Sequence, residues 1–187
     1  QLTIGRIVVC IDIIVVTLSL FAFSDGLILL PYTILAFFST IFPHNIVFNL
    51  GVCLGILLLP LSVYLSCRIV RLPRPLPAIA VCFVVPLIFD NTHNMWGVNA
   101  YSTLAGMVAN SWSFCLFCPT LGNICRDIYD NKFRLRKKFL IAAVALSHFF
   151  TSIVLALLVG IIWLCVIGYS IRNKTTHYRI PVYEGVF

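Results

Sequence analysis

Charge is what this sequence has least of. Only 10% of its 187 residues are charged, and six are acidic. Soluble domains carry roughly a quarter. A chain so poor in charge cannot cover a water-soluble globule, whereas a helix bundle dissolved in lipid has no such need. Also absent are the P-loop, G-x-G-x-x-G, G-x-S-x-G and H-E-x-x-H patterns, which removes the commonest soluble-enzyme chemistries. There is no cleavable signal pattern. The chain opens on Gln1 and reads as a piece of a longer protein. Its eight cysteines are scattered, mostly inside apolar runs, and form no disulfide framework. Cys115 and Cys118 make a C-x-x-C, with Cys125 following, but inside an apolar helix that spacing is poor evidence for zinc. No metal site is assigned to it.

What the sequence does have is apolar length. It is 61% hydrophobic, with a mean hydropathy of +1.05. The net charge of +7 does not indicate nucleic acid, because all thirteen Lys and Arg fall at the ends of apolar runs or between them. They are Arg6; Arg68, Arg71 and Arg74; the six within residues 126–138; and Arg172, Lys174 and Arg179. This is the positive-inside pattern of a multi-pass membrane protein with cytoplasmic basic loops.

The expected fold is all-α: a polytopic transmembrane bundle of about five to seven helices over residues 1–170, with a polar tail at 171–187. The apolar runs are residues 7–23, 27–42, 46–70, 77–89, 101–124 and 139–169. Asp12 interrupts the first; a carboxylate at that depth serves either a ligand or a structural hydrogen bond. Pro31 suits a helix start, and Pro60 a kink. In the fifth run, Ala105, Gly106 and Ala109 suggest a close-packing face, with Asn110 bonding across it. The last run would measure about 46 Å as one helix, against a hydrocarbon core of about 30 Å. A break near Ser147 to Ser152 would return the tail to the inside; a single crossing would leave it outside. If every run crosses, Arg6 lies opposite the two basic loops. If 27–42 lies at the outer surface, all three share one side, and Asp25, His44 and the loop 90–99 face outward. This second arrangement is preferred.

Asp90 and His93 are the acid and histidine closest in sequence to each other. They offer an oxygen and an imidazole that suit a divalent cation or an acceptor hydroxyl. Two ligands do not close a metal site, and the same residues also serve as turn and interface groups, as do Trp96 and Trp112. Asn99, Ser102 and Thr103 read as a helix start, capped by Asn99, with substrate contact as a second role. His148 at the expected break either titrates or satisfies freed backbone groups.

The run WGVNAYSTLAG (residues 96–106), the basic loop after it and LIAAVALSH (residues 140–148) resemble a bacterial membrane family. That family carries the 6-pyruvoyl-tetrahydropterin synthase-related membrane domain. LPYTILAFF (residues 30–38) is similar to another of its segments. The layout is GT-C glycosyltransferase-like. The resemblance implies a polyprenyl-phosphate sugar donor, a divalent metal and an acidic residue in an external loop. It points to Asp90, His93 and Asp25 as catalytic, and to Trp96, Asn99, Ser102 and His148 as substrate-binding. It also implies the bacterial plasma membrane as location and the lipid bilayer as surroundings. Val98 and Met107 stand where the family has Gly and Glu. The other readings are a non-catalytic membrane subunit that packs against further subunits, and a small transporter using Asp12 and His148.

Overall fold

A computed structural model describes residues 30–91, 98–130 and 136–173. Asp12, Asp25, His93, Trp96, Arg6, Lys174 and Arg179 lie outside these residues, so the expectations placed on them do too. The described residues form seven helices and no strand: α1 (Leu30–Ser39), α2 (His44–Ile69), α3 (Pro75–Ile88), α4 (Ala100–Leu104), α5 (Val108–Asp130), α6 (Arg136–Ser147) and α7 (Phe149–Asn173).

Two of these are long and apolar enough to cross a membrane: His44–Ile69, and Phe149–Tyr169 within α7. Their most apolar windows are only 33% and 22% buried, where the core helix of a soluble protein would be mostly covered. Leu57, Phe83, Phe139 and Leu164 each stand about 70% exposed, and so much exposed apolar side chain favours lipid or a partner over water. At ten residues, α1 measures about 15 Å. Residues 27–29 of the expected run 27–42 lie outside the described residues.

The central helix is α5. It packs on α2 through a stripe of small residues. Trp112 Nε1 donates to Gly51 O at 2.8 Å, Cys115 Sγ to Gly55 O at 3.1 Å, and Ser66 Oγ to Cys118 O at 2.7 Å. Contacts advance in the same direction on both helices, so α2 and α5 run parallel. A Cβ on Gly55 would sit 2.9 Å from Ser111 Cβ, and one on Gly122 would sit 3.0 Å from Ser66 O. Only hydrogen side chains permit this approach.

This corrects the expected packing face. Gly106 is not helical: its φ is +113°, and a Cβ there would touch nothing within 4 Å. Ala105 and Gly106 are exposed. The expected span at 101–124 is therefore two helices, with α4 ending in a Schellman cap. Met107 N donates to Ser102 O and Gly106 N to Thr103 O, closing the turn around a left-handed glycine. At its other end α5 runs on to Asp130. Arg126 and Asp127, expected in a basic connecting loop, are instead helical and about 5% and 4% exposed. Arg126 Nε pairs with Asp130 at 2.8 Å and stacks over Tyr129.

The last apolar run breaks, as expected, at His148. Ser113 Oγ donates to Val144 O and Thr151 Oγ1 to Asn110 Oδ1, so the contact descends α5 as the chain passes from α6 into α7, and α6 lies antiparallel to α5. From His148 the chain does not continue in line. A straight extension would carry Val166 about 27 Å past the break, beyond the start of α5. Val166 is instead 4% exposed and belongs to the core with Phe117, Ile124, Ile128, Ile141, Val144 and Leu155. So α7 runs back along α5.

Candidate functional site

The start of α5 gathers most of the buried neutral polar side chains among the described residues. Asn99 caps α4: its Oδ1 accepts from Ser102 N at 2.7 Å, satisfying a free amide of the first turn. Its Nδ2 donates to Asp90 O at 2.8 Å, which ties the end of α3 to α4. Thr103 Oγ1 donates to Asn99 O at 2.9 Å and lies in a very short contact with Ser111 Oγ. Ser102, Thr103 and Ser111 are almost fully buried.

A second chain of bonds begins one residue earlier. Thr151 Oγ1 donates to Asn110 Oδ1 at 2.8 Å. His148 Nδ1 lies 3.3 Å from the same hydroxyl. That hydroxyl has one proton, and the amide oxygen takes it, so Nδ1–H is the donor to Thr151. The free lone pair of neutral His148 is then on Nε2. His148 is half-buried, and burial lowers its pKa from 6.5, which favours the neutral ring. It stands in the turn just before the apolar span Phe149–Tyr169.

Of the residues singled out from the sequence, Asn99 and Ser102 lie in the first network with the backbone of Asp90, and His148 lies in the second; the two share only the neighbouring Asn110 and Ser111 on α5. Asp25, His93 and Trp96 lie outside the described residues. Trp112 is half-buried, and its indole N–H donates to Gly51 O. Asn110, Ser111 and Thr151 were not picked out as site residues. Each sits in a run of mixed small residues, and only the tertiary contact separates it from packing residues.

The site can orient hydroxyl groups through amides, hydroxyls and one imidazole. A divalent cation does not fit what is described: no three His, Cys, Asp or Glu side chains gather anywhere among the described residues, and harder cations need several oxygen ligands.

The opposite end of the bundle carries the positive charge. Because α5 is parallel to α2 and α6 is antiparallel to α5, Arg68 to Arg74 lie at the same end as Arg126 and the start of α6. The return of α7 brings Arg172 there too. Every described Lys and Arg falls at this end, and Asp90, Asn99 and His148 at the other.

No family model matches this chain, and neither a curated protein nor a solved structure resembles it significantly.

Proposed function

We propose that this chain is part of a multi-pass membrane protein of the GT-C glycosyltransferase-like kind. In this reading the bundle holds about five to seven membrane helices. Its basic end faces the cytoplasm of a bacterial plasma membrane, and its polar end faces outward. The observation that carries the reading is a convergence. The two stretches that resemble the family, residues 96–106 and 140–148, lie far apart in sequence. Yet Thr103 bonds Ser111, while His148 reaches the adjacent Asn110 through Thr151.

The donor in this reading is a polyprenyl-phosphate sugar. An acceptor hydroxyl attacks the anomeric carbon and the bond from that carbon to the phosphate oxygen breaks. Polyprenyl phosphate leaves with the electron pair, and Asp90 takes the hydroxyl proton. His148 positions the sugar, while the buried Asn99 and Ser102 hold the start of α4. The test is transfer from labelled polyprenyl-phosphate hexoses by membranes holding the full-length protein. Asp90→Asn should cost about 10²- to 10⁴-fold in rate, the usual worth of a general base. No transfer from any such donor, or full activity in Asp90→Asn, overturns the reading.

One observation favours a second reading, a non-catalytic membrane subunit. The buried hydroxyls and amides of the site largely bond one another, as groups that only hold helices together do. Co-purification of one stoichiometric partner would support it. A solitary, active chain would remove it.

A further inference from the structure

Two helices here end in the same backbone motif with different residues at its key position. At the end of α4 the left-handed residue is Gly106, the residue this conformation favours. At the end of α2 it is Arg71, with φ +66°. Leu72 N donates to Cys67 O and Arg71 N to Arg68 O, the same pair of bonds. A left-handed arginine is less stable than glycine there. The position therefore carries charge where backbone energetics would select none.

The surroundings say what that charge meets. Arg68, Arg71 and Arg74 are all exposed, and no described acidic side chain pairs with any of them. Pro73, Pro75 and Pro77 stiffen the turn. Beside the guanidinium groups stand Val70, Leu72 and Leu76, which are 36%, 37% and 43% exposed. Cations flanked by aliphatic side chains suit a boundary between phosphate and hydrocarbon, where a soluble phosphate would leave the aliphatic groups in water.

We propose that the turn at Arg68, Arg71 and Arg74 binds the phosphates of anionic phospholipid headgroups. This rests on the membrane reading above but not on sugar transfer. Guanidinium groups pair with phosphate oxygens through parallel N–H donors. An arginine near an anionic leaflet is worth about fivefold in lipid partitioning, so three together give about a hundredfold.

The experiment uses purified protein in nanodiscs of phosphatidylcholine alone or with phosphatidylglycerol. Bound lipid is counted by native mass spectrometry after gentle release. Wild type should retain phosphatidylglycerol over phosphatidylcholine, and the triple variant Arg68→Gln, Arg71→Gly, Arg74→Gln should lose that preference by about a hundredfold. Arg71→Gly alone should bind about fivefold less while melting higher, since it removes the left-handed arginine. That opposite movement separates lipid binding from damage to the fold. Retention of the preference by the triple variant overturns the proposal, as does equal displacement by millimolar inorganic phosphate. Insertion into phosphatidylcholine discs with no lipid preference overturns it but leaves the membrane reading standing. Failure to insert at all overturns both.

Discussion

Trp112 on α5 donates its indole N–H to the carbonyl of Gly51 on α2, 2.8 Å away. That carbonyl already serves its own helix, and the indole reaches its second lone pair only because the two backbones pass so closely. The closeness is set by glycine at 55 and 122, and it predicts an order of damage. Gly122→Ala puts a methyl against Ser66 backbone, which cannot turn aside, and should cost about 1–3 kcal/mol. Gly51→Ala meets only the flexible end of Leu35 and should cost less. Gly160 has nothing within 4 Å, so Gly160→Ala should be neutral or stabilising by up to about 1 kcal/mol. Thermal unfolding in detergent checks the ranking.

Gly106→Ala has open space and should still destabilise. Its φ of +113° disfavours any L side chain, at about 1–2 kcal/mol. Arg71→Gly should move stability the other way by about 1 kcal/mol. If Gly106→Ala proved neutral, the Schellman break between α4 and α5 would be wrong.

The bond between Thr151 and Asn110 joins α7 to α5 in a buried setting. Thr151→Val leaves the amide oxygen without that donor and should cost about 1–3 kcal/mol. A double-mutant cycle with Asn110→Ala should return a coupling of about 0.6 kcal/mol, the usual size for such bonds in membranes. A coupling of zero would remove the bond from the account.

Stability should fall in mild acid because of His148. Burial holds its folded pKa below 6.5. As pH drops through that value the unfolded chain gains a proton that the folded chain still refuses. The fold is therefore fully stable above this window and loses stability as pH falls into it. His148→Gln should flatten the dependence between about pH 7 and 5. An unchanged slope in that variant would assign it elsewhere.

Much of the architecture was readable in the residues. Asn99 as a cap follows from local chemistry that needs no neighbour, and a break near Ser147 from the length of the last apolar run. The reading of residues 101–124 as one span failed because hydropathy is continuous across Gly106 and only its backbone angle marks the turn. Arg126 looked like a loop charge because charge in an apolar chain usually marks an end; its pairing with Asp130, one helical turn on, lets it stay in the helix.

The sequence by itself determined the apolar length of the helices and the spacing of the charges, since both depend on composition along the chain. Only the tertiary structure decided which groups meet. Gly51, Gly55 and Gly122 became the packing stripe, and Asn110, Thr151 and His148 became neighbours. Those outcomes depend on the direction in which α2, α6 and α7 lie against α5. Direction is set by side-chain fit across helices, which hydrophobic periodicity along one chain does not encode.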